Sequence, residues 1–571
     1  MSALLTKIQK HIAVPLRGRG DVSGGTLPTE ALRAAQLVAF ALSFFVLNLC
    51  VNLMWFHRHL PVWSLLLPSF EILGLTVILA LVQGRGLGVS FPARLGLTVL
   101  LAWLVVFRLI DVGVQRFMHL EIDMAQVLRL APEFVRLGFS TLPLWQFILA
   151  CVLVLGALSG LGFVISTALR ANLAALTHPQ LRRGLYWLAA GLGCIAALST
   201  VVPMSAQPYR QYGVFTPTYL PELLKMGRRL WGKDERVAHA RLRVDRQRAR
   251  LSRMPASFGR LSGRAVHLVF IESYGMSVFT RDDYRAELES DFVRFAGALA
   301  RAGFQIRSGQ LRSPTFAGGS WLAHGTMSTG LKLDDHVDHE LVLQANPVTL
   351  SGLLGAAGYR TVGVWPGTKR PLEPYQRRGF QETIAGFEME YAGPSYAWAP
   401  MPDQYVLDFA RRHLASHSGP RFVEYGLVSS HFPFSPHADY VQNWEMLGDG
   451  HLYKSQKPVD YGVSWHDSSQ MPAAYLGCIR YDLQVLTEFI VQFGERDGLF
   501  ILLGDHQPMT EVAGENATHD VPVHVVSREA DLLARFEARG YVPGWAPDLD
   551  APVPPMEAFM PAFIADFGPE R

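Results

Sequence analysis

"AVHLVFIES", residues 265–273, is a nearly unbroken apolar run that ends in the acidic Glu272. Several runs of this kind follow it, and helix-like segments such as "DFVRFAGALARAG" separate them. The later runs are "YRTVGVW" (359–365), "RFVEYGLVSSHFPF" (421–434), "LFILLGDH" (499–506) and "VPVHVVSR" (521–528). Continuous apolar strands that alternate with helices are typical of a parallel sheet covered on both faces. This half of the chain is therefore predicted to be an α/β domain with a mostly parallel sheet.

The preceding part of the chain has the composition of a membrane protein. Hydrophobic residues make up 49% of the 571 residues, charged residues only 18%, and the mean hydropathy is +0.16. Five apolar runs each have about twenty residues, the length that spans a hydrocarbon core. They lie at about 35–56, 62–83, 95–115, 143–168 and 184–204. We predict a five-helix transmembrane bundle (1–204), a juxtamembrane helical linker (205–263) and an extracytoplasmic domain (264–571).

The placement of basic residues predicts the orientation. Lys and Arg occupy positions 7, 10, 17, 19 and 33 before the first run, whereas the turn "HRHLP" after it carries only Arg58. Cytoplasmic loops are enriched in Lys and Arg, so the N-terminus is predicted to face the cytoplasm. Five crossings then place everything after Pro203 outside.

The linker is rich in arginine and poor in apolar residues, as in "LLKMGRRLWGKDERVAHARLRVDRQRARLSRM" (223–254). Two interpretations stay open at this point. It is either a helical arm on the outer membrane surface, where it would favour anionic headgroups, or a solvated linker helix.

Charge and cysteine content exclude two classes of protein. The net charge is only +3, and no basic cluster is interleaved with aromatic residues, so a nucleic-acid partner is not expected. Of the four cysteines, only Cys478 lies in the outer half, so that half cannot form a disulfide framework.

Polar side chains follow the predicted strands at the points where those strands end. They are Glu272, His431, Asp505 and His506. In sheets of this class ligands bind beyond the carboxyl ends of the strands. Two carboxylates and one imidazole suit Mn²⁺, Zn²⁺ or Mg²⁺, so Glu272, Asp505 and His506 are predicted metal ligands. Such a cation lowers the pKa of a bound hydroxyl and stabilises charge that develops on a phosphate.

A candidate nucleophile lies in "SPTFAGGSWLAHG", residues 313–325. Pro314 fixes the entry into the segment and Thr315 is predicted near a helix start, while Gly318 and Gly319 let a phosphate approach the backbone amides. The structural interpretation is also open, because an Asp-His pair can cap a loop and Thr315 can be an N-cap.

These motifs resemble those of one known family. The order of Glu272, Thr315, "HFPF" (431–434), "IRY" (479–481) and "GDH" (504–506) resembles the sulfatase-like membrane transferases of the alkaline phosphatase superfamily. Within it, lipoteichoic acid synthases and periplasmic glucan phosphoglycerol transferases are the most similar types. The resemblance implies that Glu272, Thr315, Asp505 and His506 bind a divalent metal, with Mn²⁺ as the first expectation. It also implies a phospho-threonine intermediate on Thr315 and a phosphate contact by His431.

The same resemblance implies an activity and a location. The expected reaction transfers phosphoglycerol from phosphatidylglycerol to a hydroxyl of a glycan or polymer. The expected location is the bacterial inner membrane, with the catalytic domain in the periplasm or outside the cell. A phosphoethanolamine transferase is the nearer alternative, although its outer domain usually carries several disulfides. A non-catalytic protein that binds glycan or lipid is a further alternative.

One segment departs from the family pattern. In "VGVWPGTKRPLEPYQRRGF" (362–380) the tryptophan and arginine of the family are displaced. Trp365 and Arg370 are the candidates for substrate binding, together with Gly318, and a bidentate guanidinium suits phosphate. The alternative is that Trp365 packs in the core and Arg370 is a surface charge. His519 and His524 could assist a second metal, although a rim histidine and a packed strand histidine are favoured.

Overall fold

A computed structural model describes residues 29–52, 69–118, 144–201, 233–254, 257–417, 419–463 and 469–568. The chain divides into two compact units. The first comprises Met1–Leu109 and Pro143–Leu220, and the second comprises Ile110–Leu142 and Pro221–Arg571. The predicted boundaries at residues 204 and 263 stay predictions.

The first unit is helical. Its helices are α1 (Thr29–Asn52), α2 (Phe70–Gly84), α3 (Phe91–Met118) as far as Leu109, α4 (Leu144–Ala175) and α5 (Pro179–Val201). Each of them overlaps one of the predicted apolar spans. α1 packs against α4, and the Asn172 side chain donates a hydrogen bond to the Ser43 hydroxyl at 3.5 Å.

One helix among the described residues is long and apolar enough, by length and composition, to cross a membrane, and it is α4. Shorter apolar helices cover Ala34–Cys50, Glu71–Gly84 and Phe91–Phe107. The five-span bundle therefore stays a prediction.

The second unit is built on an eight-stranded sheet with the order β4-β3-β5-β1-β6-β7-β2-β8. The strands are β1 (Val266–Ile271), β2 (Gln305–Arg312), β3 (Arg360–Trp365), β4 (Glu382–Ala385), β5 (Arg421–Gly426), β6 (Leu499–Gly504), β7 (Asp520–Ser527) and β8 (Val542–Pro543). Strands β4, β3, β5, β1 and β6 run parallel, whereas β7 is antiparallel to β6 and to β2. The predicted mostly parallel sheet is confirmed.

Helices cover both faces of this sheet. They are α6 (Lys233–Leu251), α7 (Ser277–Thr280), α8 (Asp282–Arg301), α9 (Ser320–Thr329), α10 (His336–Gln344), α11 (Leu350–Ala356), α12 (Asp403–Leu414), α13 (Met471–Phe493), α14 (Thr510–Ala513), α15 (Ala530–Glu537) and α16 (Phe559–Phe567). Alternate residues of β1 enter two different cores. Val269 and Ile271 lie in one, and Leu268 and Phe270 lie in the other. Burial on both faces explains why β1 is apolar at nearly every position.

The linker helix α6 packs on its own unit, which neither sequence interpretation anticipated. Its Ala240 and Val244 are buried against α9 and α10. Arg236 pairs with Asp335 and Arg243 pairs with Asp338, each at 2.8 Å. Arginines that the composition assigns to a membrane or to solvent are therefore partly used to hold α6 against α10.

Candidate active site

The carboxyl ends of the adjacent strands β1 and β6 bring three predicted ligands together. Glu272 follows β1, and Asp505 and His506 follow β6. One ligand atom from each residue lies within 4.8 Å of the other two, and all three side chains are buried. The His506 Nε2 atom lies 3.2 Å from Glu272 Oε1 and 3.6 Å from Asp505 Oδ2. The predicted proximity of these residues is therefore present, and their metal-binding role stays a proposal.

The electrostatics of this cluster are those of a site short of positive charge. Burial and the Glu272 carboxylate raise the pKa of Asp505 to about 7. Burial alone would lower the pKa of His506, but Asp505 and Glu272 raise it to about 9. Burial would raise the pKa of Glu272, yet the hydrogen bond from His506 lowers it to about 2. Two buried carboxylates therefore share one imidazole, and a cation would relieve their repulsion.

The donor atoms are also oriented as a cation site requires. His506 Nδ1 lies 2.8 Å from the Gln507 carbonyl and donates to it, so Nε2 faces the carboxylates and becomes a cation ligand once it gives up its proton. Asp505 Oδ1 accepts the backbone N–H groups of Ser273 and His506 at 2.8 and 2.7 Å, so its Oδ2 is left for a ligand. The residues present therefore fit a divalent cation with oxygen and nitrogen ligands.

A hydroxyl that the sequence interpretation passed over contacts this cluster. The Ser320 Oγ lies 3.0 Å from Glu272 Oε2 and 3.4 Å from His506 Nε2. Ser320 is the first residue of α9, after Gly319 in the left-handed conformation with φ of 75°. Its side chain is partly exposed, so a substrate can reach it. The available signal was the Gly-Gly pair that directly precedes this serine and the helix.

Thr315 has a different environment. The predicted helix start near Thr315 is wrong, because the helix begins at Ser320. Thr315 is 0% exposed, and its hydroxyl donates to the Gly318 carbonyl. A Cβ at Gly319 would lie 3.0 Å from Thr315 Oγ1. The Thr315 hydroxyl thus stabilises the glycine turn that precedes Ser320. The roles of Thr315 as nucleophile and metal ligand stay predictions.

A second hydroxyl connects the cluster to the helix α13. Ser430 Oγ lies 2.6 Å from the Glu272 carbonyl oxygen and 2.6 Å from Asp482 Oδ2. A hydroxyl has one proton and a carbonyl can only accept, so the second contact requires a proton on Asp482. Burial and the neighbouring Asp403 raise the pKa of Asp482 well above its usual range. Asp482, which directly follows the "IRY" motif, is therefore neutral and donates to the Ser430 hydroxyl, and Ser430 donates to the Glu272 carbonyl oxygen.

His431 lies beside the cluster, as its place after β5 predicts. Its Nδ1 lies 2.7 Å from the Phe432 carbonyl oxygen. The Trp398 indole stacks on the imidazole with ring centroids 4.0 Å apart. A phosphate contact by His431 remains a proposal.

The displaced segment contains a buried ion pair that the sequence did not reveal. The Arg378 Nη2 atom lies 2.6 Å from Glu424 Oε1, and both side chains are buried. The same carboxylate oxygen contacts His324 Nδ1 at 3.2 Å, and the guanidinium lies 4.6 Å from the Trp365 ring centroid. Arg370 is exposed. This environment favours packing for Trp365, and substrate binding by Trp365, Arg370 and Gly318 stays untested.

Of the two additional histidines, His519 and His524, the second has the packed position in a strand that the sequence favours. His524 is fully buried, and its ring nitrogens contact the hydroxyls of Tyr274 and Ser308 at 2.9 and 2.7 Å. Burial lowers its pKa to about 3. The His519 ring lies 5.5 Å from that of Phe316. His524 is therefore a packed strand histidine.

Comparison with known proteins identifies the domain. The fold and the cluster define an α/β domain with a candidate metal site at the carboxyl ends of parallel strands. Residues 320–527 match the family described as Sulfatase, so this part of the chain is a sulfatase-like domain, and that prediction is confirmed. No curated protein matches the sequence.

Several solved structures are similar to this chain. The lipoteichoic acid synthase LtaP from Listeria monocytogenes is 13% identical, with a TM-score of 0.36 over 54% of this chain and 72% of its own. The lipooligosaccharide phosphoethanolamine transferase EptA from Neisseria meningitidis is 12% identical, with a TM-score of 0.47 over 93% of this chain and 95% of its own. The Streptococcus pyogenes phosphoglycerol transferase GacH, in complex with sn-glycerol-1-phosphate, is 11% identical, with a TM-score of 0.32 over 58% of this chain and 91% of its own.

Proposed function

We propose that this protein is a metal-dependent transferase that moves phosphoglycerol from phosphatidylglycerol to a hydroxyl of a glycan or polymer through a covalent intermediate. The observation that carries the proposal is the hydroxyl of Ser320 at the start of α9, in contact with Glu272 and His506. A hydroxyl held beside two carboxylates and an imidazole at the rim of such a sheet has the arrangement of an activated nucleophile.

Ser320 replaces Thr315 as the nucleophile that the geometry favours. Ser320 is partly exposed and contacts the cluster, whereas Thr315 is buried and donates to a carbonyl of its own turn. A phosphate that reaches Ser320 would lie at the N-terminus of α9, where backbone N–H groups favour an anion.

The reaction has two halves, and both use Ser320. In the first, the Ser320 oxygen forms a bond to phosphorus, the phosphorus bond to the diacylglycerol oxygen breaks, and Glu272 Oε2 receives the proton of the hydroxyl and passes it to the departing diacylglycerol oxygen. In the second, the acceptor oxygen forms a bond to phosphorus, the bond between phosphorus and Ser320 Oγ breaks, and the proton of the acceptor hydroxyl passes through Glu272 to Ser320. We assign to His431 the contact with the phosphate oxygens in both halves.

A divalent cation at Glu272, Asp505 and His506 would stabilise the negative charge on the transferred phosphate. Mn²⁺ is the first candidate, with Zn²⁺ or Mg²⁺ as alternatives for the same ligand set. Phosphoethanolamine transferases of this type usually carry several disulfides in their outer domain. Cys478 is the single cysteine of the outer half, so no disulfide can form within that half. This difference supports glycerol over ethanolamine as the transferred group.

We further propose that the five apolar spans anchor the protein in the bacterial inner membrane with a cytoplasmic N-terminus. The catalytic unit would then lie outside, beside its lipid donor, which raises the effective concentration of the donor. The apolar helix α4 supports a membrane location.

Trapping the covalent intermediate tests the proposal. Full-length protein with Mn²⁺ is incubated with vesicles that contain headgroup-labelled phosphatidylglycerol or phosphatidylethanolamine, and the label on the protein is measured by mass spectrometry. We expect phosphoglycerol on Ser320 of the wild type, no label on Ser320→Ala, and label on the matched control Thr315→Ala. Loss of label only in Thr315→Ala would return the nucleophile to Thr315. Ethanolamine label would favour the alternative donor, and absence of label in the wild type would contradict the covalent mechanism.

A further inference from the structure

A tryptophan lies with much of its surface exposed at the rim of the candidate active site. Trp398 precedes α12, and its side chain is 45% exposed. The indole is nearly parallel to the His431 imidazole, with an interplanar angle of 13° and ring centroids 4.0 Å apart. The Trp398 side chain thus keeps 45% of its surface open to solvent next to a residue of the candidate site, and an exposed aromatic side chain in such a place is a feature of ligand-binding positions.

The stack is joined to the catalytic cluster through the backbone after β5. Ser430, the neighbour of His431, binds the Glu272 carbonyl at 2.6 Å. A molecule that contacts the Trp398 indole is therefore separated from the cluster by the His431 side chain.

The edge of this surface is positively charged. Lys369 Nζ lies 5.7 Å from the centroid of the indole, a cation–π distance. The next residue, Arg370, is exposed. A Cβ built on Gly367 would lie 3.6 Å from the indole, so the ring rests on the backbone of the loop that carries both cations. The segment 367–370 and the Trp398 indole thus provide positive charge and apolar surface side by side.

We propose that Trp398 and Lys369 form the subsite for the acceptor, and that this acceptor is an anionic saccharide. The inference rests on the transfer proposed above. A sugar ring offers an apolar C–H face to the indole, while its phosphate or carboxylate group lies near Lys369. The donor phosphate has to reach Ser320, whereas the indole lies beyond His431. The acceptor, and not the lipid donor, is therefore the reactant that we assign to this surface.

Direct binding tests the subsite without any turnover. The probes are a gluco-pentasaccharide that carries one phosphate and the same pentasaccharide without phosphate, titrated into full-length protein by calorimetry. Trp398→Ala is expected to weaken binding of both by about tenfold, the loss of one aromatic contact. Trp398→Phe keeps a ring and is expected to lose less. Lys369→Ala is expected to weaken only the phosphorylated probe.

Two matched controls separate this effect from a general loss of surface groups. Phe387→Ala removes an aromatic side chain that is 50% exposed, and Lys332→Ala removes an exposed cation that pairs with Asp334 at 3.0 Å. Both are expected to bind like the wild type. Unchanged binding in Trp398→Ala, with the same melting temperature, would overturn the subsite.

The two half-reactions provide an independent arm. Trp398→Ala is expected to raise the KM for the phosphorylated probe by a larger factor than the KM for phosphatidylglycerol, since the indole also packs on His431. An equal rise of both KM values would mean that the indole serves the donor or the whole site, and the proposal would be wrong. If the wild type released no diacylglycerol, the proposed function would fail, and the binding comparison would still decide the subsite.

Discussion

Two buried clusters near the carboxyl ends of neighbouring strands share their residue types and differ in their charge balance. Glu424 on β5 is held by Arg378 and His324, so the chain itself supplies a permanent cation. Glu272 after β1 faces a second carboxylate, Asp505, and a single imidazole. Burial would raise the pKa of Glu424, but Arg378 lowers it below its usual value. In the other cluster, the pKa of Asp505 is raised instead.

The difference shows how to separate a structural cluster from a candidate metal site. A buried carboxylate that already has a guanidinium at 2.6 Å gains little from a metal. Two buried carboxylates with one shared histidine carry more negative charge than the imidazole can neutralise, and a divalent cation would balance that charge.

The largest effect is expected when the internal cation is removed from the balanced cluster. Arg378→Met leaves Glu424 buried without its main partner, which should cost about 3–5 kcal/mol of the free energy of unfolding. Thermal and denaturant unfolding of the purified protein measure this cost. The exposed Arg370→Ala is the control, with an expected change within about 0.5 kcal/mol.

A second substitution sharpens the same test. Adding Glu424→Gln to Arg378→Met removes the uncompensated charge and should recover part of the lost stability. Metal affinity should stay unchanged in both variants. A loss of Mn²⁺ binding in Arg378→Met would show that the two clusters are not separate.

A somewhat smaller effect is expected in the unbalanced cluster. Asp505→Asn should weaken Mn²⁺ binding by roughly 100-fold, or about 2.7 kcal/mol, because one ionic ligand is lost. It should not destabilise the metal-free protein, since it removes repulsion with Glu272. Melting temperatures with Mn²⁺ and with a chelator measure both effects, and the exposed Asp531→Asn is the control.

The same site predicts a pH dependence with a definite sign. The carboxylates raise the pKa of His506 to about 9 in the metal-free protein, so the imidazole is protonated at pH 7. Metal binding must displace this proton, and the affinity for Mn²⁺ should therefore rise as the pH rises towards 9. Calorimetry in buffers of different ionisation enthalpy measures the released proton. Affinity that falls with rising pH would contradict the assignment of His506.

The smallest effect is expected for Asp482→Asn. The amide donates to Ser430 as the protonated carboxyl does, so headgroup cleavage should stay within about threefold of the wild type. Asp482→Ala removes the donor and should lower both activity and stability. Because the raised pKa keeps Asp482 neutral in the folded state, the unfolded state gains from ionisation above about pH 4. The stability of Asn relative to Asp should therefore increase with pH, and an inactive but folded Asp482→Asn would refute the neutral donor.

The sequence predicted the strand ends better than the helix start. Glu272 and "GDH" directly follow continuous apolar runs, and strands of that kind end at one rim of a sheet. In "SPTFAGGSW" both Pro314 and the glycine pair are helix-start signals, so periodicity could not choose between Thr315 and Ser320. The strand β2 escaped prediction because Arg, Ser and Gln residues interrupt its apolar pattern.

Long-range pairing was beyond the sequence for a different reason. Glu424 and Arg378 are 46 positions apart, and nothing in their local sequence links them. The packing of α6 on α10 depends on salt bridges between residues more than 90 positions apart. Such partners are set by the tertiary fold, whereas local patterns report only burial and turns.

The choice of a serine at the start of α9 has a consequence for how its oxygen is held. A threonine has a branched β-carbon that restricts rotation about χ1, whereas a serine rotates among its staggered positions at little cost. The direction of the Ser320 oxygen is therefore set by Glu272 and His506 and not by the stiffness of its own side chain. If Ser320 carries the phosphoryl group as proposed, its oxygen can rotate away from Glu272 and His506 with the group attached and return when the group leaves.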